Sequence, residues 1–435
     1  MNSVGKNKNL LSLVFKTFQM KLKILSLTLL MVLVLSCKKK ESNPVPFNNT
    51  VMLGAILDLS GNYSEEGLTG KAAIELSIDS LNQRYASIGS SVRFACTFTD
   101  THLDTILTLT AARNMYDNGI RLLVAGPNNS AGLKAIQLFL DQNQMLAVTC
   151  FSSSPSLAIK NDYIYRLITD DNVQGQALVK MMEYDSILAL IPIWREDTYG
   201  TGLYQTVKQK FLDQGGTVLE GISYKPEATN FQEIIQQVAP QITNAITTFG
   251  ASRVAVILIS YQEAVNFLKA AASVNDLSHV KWYGCDANVQ KASITSDSTA
   301  GSFAQSIRFL APIMGIGTAG NLPVTAQALT DQIFAKTGLH PDAYALTAYD
   351  AVQIYGLAYD IVRSYNAPLM KNVIPSVCES YNYLGISRKL NAAGDLATAN
   401  YIFWTVVRTP EGLVWDSYAT YMADGDNILI RHVKN

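Results

Sequence analysis

The sequence is poor in the groups that build metal centres. Its 435 residues include four histidines, His102, His279, His340 and His432, and they lie far apart. No Cys-x-x-Cys occurs among the five cysteines. A zinc site, which needs clustered sulfur and imidazole ligands, is therefore not expected. Charge of one sign is missing too: Lys and Arg number 34 and Asp and Glu 35, for a net charge of −1. No basic field draws this chain to nucleic acid. Gly-x-Ser-x-Gly, His-Glu-x-x-His and a phosphate loop ending in Gly-Lys-Ser/Thr are all absent, and no spaced carboxylate pair falls where the fold would support catalysis. These absences argue against an enzyme, and no cofactor is expected. Long hydrophobic runs are lacking as well. The run from Ile24 to Leu35 is too short to cross a bilayer, which takes about 20 residues.

What that run does offer is a secretory signal. Lys21 and Lys23 precede it and Ser36-Cys37 follows. "LVLSC" resembles the lipobox of bacterial lipoproteins, although Val34 and Leu35 depart from its commoner residues. The resemblance implies cleavage before Cys37 and lipid attachment to its sulfur. Residues 1–36 are then a signal peptide and 37–50 a lipidated cysteine with a flexible tether, since "CKKKESNPVPFNN" is polar and holds prolines. A plain signal peptide is the other reading, and Met20 is an alternative start. The expected location is the cell envelope, anchored to a membrane on the periplasmic face or cell surface. Cys96, Cys150, Cys285 and Cys378 remain, and four cysteines allow three complete pairings.

From Val51 onward, short apolar runs alternate with amphipathic segments. "VMLGAIL", "VRFACTFTD", "RLLVAG" and "MLAVTC" read as strands, with helices at 67–84, 105–117 and 131–142 between them. After "YIYRLI" the pattern restarts, with helices at 175–184, 202–213, 231–248 and 263–273. The strands there are "SILALIPIW", "TVLEGISY", "RVAVILIS", "VKWYGCD" and "SIRFLAPI". Two long helices, around 326–336 and 342–364, precede a final antiparallel pair, "YIFWTVV" and "LVWDSYATYM". With 48% hydrophobic residues, the chain can bury two α/β units, each around a parallel sheet. Ligands bind beyond the carboxyl ends of such strands, so two facing units make a cleft. Periodicity leaves their connection open.

Six segments, in order, resemble the type I periplasmic binding proteins of the leucine/isoleucine/valine-binding branch. They are "GAILDLSGNYSEEGLTGKAAIELSIDSLN", "LLVAGPNNSAGLKAI", "LAVTCFSSSPSLA", "YIYRLITDDNVQGQALVKMM", "REDTYGTGLYQTVKQKF" and "PDAYALTAYDAVQIYGLA". The resemblance implies two doubly wound Rossmann-like lobes joined by a three-strand hinge. It places crossings near Thr169, Arg308 and Arg388, with lobe 1 at 51–169 plus 308–387 and lobe 2 at 170–307 plus 388–435.

It also implies site residues. Ser130 falls where the family bonds a ligand carboxylate, and a helix start suits an anion; taken alone, Ser130 reads as a helix cap. Phe151 (by its backbone carbonyl), Ser152 and Ser153 (by its hydroxyl) form the next loop, which otherwise reads as an ordinary turn. Tyr199, in "DTYG", matches a tyrosine that the second lobe brings onto the ligand. Asp286, in "WYGCDANV", matches an acid that pairs the ammonium, or it caps a helix. Ser60-Gly61, Tyr63 and Glu66 fall on the first wall, where Glu66 either favours a polar or cationic ligand or simply faces water. Tyr261 is a further wall residue of the second lobe, and Trp194 is either wall or core.

The expectation is a monomeric solute-binding lipoprotein that captures an amino acid or similar zwitterion and delivers it to an ABC permease. A sensor module of the same fold without a transport partner is the alternative.

Overall fold

A computed structural model describes residues 49–61 and 64–431. The expected signal peptide, Cys37 with most of the expected tether, and Tyr63 lie outside the described residues. Strand β1 (Thr50–Leu57) leads through α1 (Ser64–Ser87) to β2 (Arg93–Asp100). Then come α2 (Thr105–Asp117), β3 (Leu122–Ala125), α3 (Ser130–Gln142), β4 (Leu146–Thr149) and β5 (Ile164–Arg166). The five strands pair in parallel in the order β2-β1-β3-β4-β5. Every residue of β3 and β4 is buried. Burial on both faces is why these strands read as unbroken apolar runs.

The alternation repeats. Helix α4 (Asp171–Tyr184) is followed by β6 (Ala189–Arg195), α5 (Thr198–Asp213), β7 (Thr217–Val218), β8 (Ile222–Tyr224), α6 (Phe231–Phe249), β9 (Val254–Ile259), α7 (Ala264–Ala271) and β10 (Lys281–Tyr283). A second parallel sheet forms in the order β10-β9-β6-β7, with β8 also paired to β6. The sequence predicts one strand over 217–224, and two short ones form instead. Gly221 breaks it: φ is +65°, and a Cβ there would lie 2.1 Å from the Pro192 carbonyl oxygen. Only glycine tolerates both conditions.

Helices α8 (Ala292–Ser296) and α9 (Ser298–Ser306) precede β11 (Ala311–Met314). Asp297 caps α9 by accepting from the Thr299 and Ala300 N–H groups, so the expected strand at Ser306 starts only at Ala311. Next come α10 (Val324–Thr337), α11 (Ala343–Val362) and α12 (Ala367–Ser380). Helix α12 is not apparent in the sequence because Pro375 lies inside it; the buried stripe of Met370, Ile374 and Val377 holds it helical all the same. Strands β12 (Tyr401–Thr409), β13 (Gly412–Met422) and β14 (Asn427–Ile430) join β11 in an antiparallel sheet. Helices α10 and α11 pack on α1, and α11 also covers β3, whereas α4 and α9 pack on the antiparallel sheet.

Two fully buried arginines stitch the segments between these layers. The Arg166 guanidinium donates to both carboxylate oxygens of Asp395, at 2.5 and 2.7 Å, while its backbone pairs with Gly394 and Leu396. Arg388 donates twice to Asp350, at 3.0 and 2.7 Å, and once to the Leu167 carbonyl at 3.0 Å. Removing one partner of such a pair strands a buried charge. Asp395→Ala should therefore cost about 3–5 kcal/mol in urea unfolding. A loss below about 1 kcal/mol would mean that Arg166 is not held as described.

Candidate functional site

The loop after β3 is tied down first. Asn128 Oδ1 accepts from the Asp58 N–H at 2.6 Å, and Asn129 Nδ2 donates to Asp58 Oδ2 at 2.9 Å. Asp58 also accepts from Thr101 and Leu103. Asn129 then caps α3 by accepting from the Gly132 N–H at 2.6 Å. The capping reading of Ser130 is therefore wrong, because its neighbour takes that role. Ser130 is buried at the first helical position, and its hydroxyl accepts from the Ser154 N–H at 3.2 Å.

The loop after β4 is braced by Arg166, which donates to the carbonyls of Ser152 and Ser154 at 3.0 and 2.9 Å. The Ser152 hydroxyl is taken by the Pro127 carbonyl at 2.9 Å. The Ser153 carbonyl accepts from the Asp171 N–H at 2.9 Å, and the Ser153 hydroxyl lies beside the Asp171 carboxyl. The Phe151 ring lies against Gly70 and meets Tyr344 edge-on at 6.5 Å.

Loops from the second sheet meet these residues. Asp197 caps α5, and the next turn carries Tyr199, whose hydroxyl donates to Asp286. Tyr199 stacks on Tyr261 at 5.4 Å, and Tyr261 lies under the Arg195 guanidinium at 4.9 Å. From the other side the Tyr344 hydroxyl donates to Asp286 Oδ2 at 2.6 Å. Asp286 is thus a hub and not the cap of its short helix, whose cap position is Cys285. Gln174 bridges the Asp286 N–H, at 3.0 Å, to Asp171 Oδ1, at 2.9 Å. Asp171 is fully buried and its Oδ2 has no hydrogen-bond partner. Ser154 Oγ donates to the Thr198 carbonyl at 3.1 Å, closing the contact between the β4 and β6 loops.

Tyr199, Tyr261 and Asp286 therefore come together. Asp171, Gln174 and Tyr344 join them without having been singled out in the sequence. In "TDDNVQG", two adjacent aspartates before a helix both look like caps; Asp170 caps α4, and Asp171 turns inward. Tyr344 is one of several tyrosines in an apolar helix. Glu66 does not face water: it is buried in an ion pair with Lys291. Ser60 donates to Asp100 at 2.6 Å, and Trp194 stacks on Tyr204 at 4.0 Å. Among the described residues no cluster of His, Cys, Asp and Glu is arranged to hold a metal ion.

Burial pushes the Asp171 carboxyl well up from its ordinary value, and the neighbouring Asp286 charge adds to this. Burial also raises Asp286, against the pull of the Tyr199 and Tyr344 hydroxyls. Two carboxyls in one dry site resist ionising together. A carboxyl whose folded pKa is raised stabilises the fold below its unfolded pKa and loses that contribution as pH rises through the folded value. Thermal melts of ligand-free Asp171→Asn and of the wild type should therefore diverge as pH goes from about 5 to about 8, with the variant gaining at high pH. Parallel melting curves across that range would contradict a strained acid pair.

Residues 69–397, most of the chain, match the family described as receptor family ligand binding region. An uncharacterized protein of Methanocaldococcus jannaschii is 25% identical over 390 residues, covering 85% of this chain and 90% of that one. A leucine binding protein of Thermotoga maritima superposes with a TM-score of 0.68 at 17% identity, covering 85% of this chain and 98% of that one. A solute-binding protein of an R. palustris ABC transporter, in complex with 4-hydroxybenzoate, gives 0.70 at 13% identity, covering 87% and 98%. With its two parallel α/β sheets meeting at their loop ends, the chain belongs to the receptor-family ligand-binding-region proteins and has the type I periplasmic binding protein fold.

Proposed function

We propose that the chain is an extracytoplasmic solute-binding protein without catalytic activity. It captures an amino acid or similar small zwitterion between lobe 1 (51–169 plus 308–387) and lobe 2 (170–307 plus 388–435), and hands it to an ABC permease. The observation that carries this reading is the centre at Asp286. Tyrosine hydroxyls reach it from both sides, and the unpartnered oxygen of Asp171 belongs to the same buried zone. A ligand ammonium is the group that such a centre lacks.

The carboxylate end goes to the start of α3. The helix dipole there favours an anion, with the Ser130 and Ser153 hydroxyls beside it. The Phe151 carbonyl is the second acceptor for the ammonium, and Tyr199 and Tyr261 form the wall. The lobes close as rigid bodies, and ligand favours the closed form only by its differential affinity for it. Cys37 carries the lipid that keeps the protein at the membrane, and the protein works as a monomer. A sensor role without a permease is the second reading, favoured by the receptor description of the matching family.

A thermal-shift screen of the purified protein against amino acids, amides, polyamines and short peptides tests this reading. A true ligand at 100 times its Kd adds about 2.7 kcal/mol. Asp286→Ala should weaken amino-acid binding by about 2–5 kcal/mol in calorimetry, and Ser130→Ala by about 1–3 kcal/mol. Unchanged affinity in Asp286→Ala would remove the ammonium role, and a melt shifted only by compounds lacking an amine would remove the zwitterion reading.

A further inference from the structure

A second acidic pole lies beyond Phe151. Glu66 and Lys291 form a buried ion pair. Asp342, also buried, caps α11 two residues before Tyr344, and its charge acts on Lys291. The two poles share one aromatic divider. Phe151 lies on Gly70, four residues or about 6 Å along α1 from Glu66, and touches Tyr344, whose hydroxyl holds Asp286.

The charge count is lopsided. Asp171, Asp286, Glu66 and Asp342 are four buried carboxyls, and Lys291 is the one buried cation among them. The other buried guanidiniums are committed elsewhere: Arg166 to Asp395, Arg388 to Asp350, and Arg195 to Asp197 and Glu263. A neutral side chain would leave the distal acids undercompensated in a dry site. An acidic side chain would add a fifth negative group. A second cation would relieve the imbalance.

We infer that the site selects a dicationic ligand of the basic amino acid type. Its α-ammonium sits at Asp171 and Asp286, its apolar stem lies along Phe151 and Tyr344, and its distal cation lies between Glu66 and Asp342, displacing Lys291 from Glu66. This inference rests on the amino-acid reading above and narrows it.

Calorimetry with the full-length protein and four probes of matched length separates the two. L-lysine should bind at least tenfold more tightly than L-norleucine, which keeps the zwitterion and the stem but lacks the distal amine. Glu66→Gln should lower L-lysine affinity at least tenfold and leave L-norleucine within about threefold. Norleucine equal to or tighter than lysine would overturn the inference while sparing the zwitterion reading. So would a preference for L-2-aminoadipate, which would make Lys291 the distal partner. Cadaverine binding as tightly as lysine would support the two acidic poles and overturn the carboxylate role of Ser130. Binding of none of the four would overturn the inference and leave the zwitterion reading to the thermal-shift screen.

Discussion

Arg166 organises the site without belonging to its wall. Its guanidinium is fully buried, and each branch has a defined acceptor. Two nitrogens clamp Asp395 of a late segment, and the third holds the carbonyls of Ser152 and Ser154. The planar fork of arginine suits this task, and lysine could not make the same set of bonds. Because the loop after β4 is fixed, Ser153 is presented to Asp171 and the Ser154 N–H to Ser130. The same residue thus joins the backbone path between the layers to the placement of the hydroxyls. Its positive charge also tempers the repulsion at Asp171.

The acids are harder to rationalise as packing. Fold stability alone would favour apolar residues in place of unpaired buried carboxyls. Asp350 and Asp395 have their arginines, yet Asp171 and Asp286 have only neutral donors, chiefly hydroxyls and an amide. Tyrosine hydroxyls stabilise a carboxylate less than a cation does, and burial raises the tyrosines themselves far beyond ionisation. A site left short of positive charge in this way fits one completed by a ligand. Most of the donors, acceptors and aromatic walls are already in place, which limits the ordering cost on binding.

Much of the fold is legible in the sequence, because apolar runs and 3.6-residue periods survive whatever the tertiary context. The failures have local causes. Gly221 breaks a strand by its backbone geometry, and Pro375 hides a helix that packing sustains. At the candidate site, residue type singles out Ser130, Tyr199 and Asp286 but not the partners that the fold gives them. By composition Ser130 reads as the cap, and only the chain path assigns that role to Asn129. Asp170 and Asp171 pose the same ambiguity. Glu66 reads as a solvated glutamate until Lys291, 225 positions later, is brought onto it. Long-range pairs of this kind leave no local pattern.

The central claim is that two buried carboxyls share a site that needs a positive charge. The 13C carboxyl resonances of Asp171 and Asp286, titrated with and without L-lysine, test it most directly. In the free protein one of the pair should stay protonated well above the ordinary aspartate value of 3.8; with L-lysine both should be ionised at neutral pH. If both titrate near that ordinary value and neither responds to L-lysine, the pair is an incidental feature of the core and the account fails.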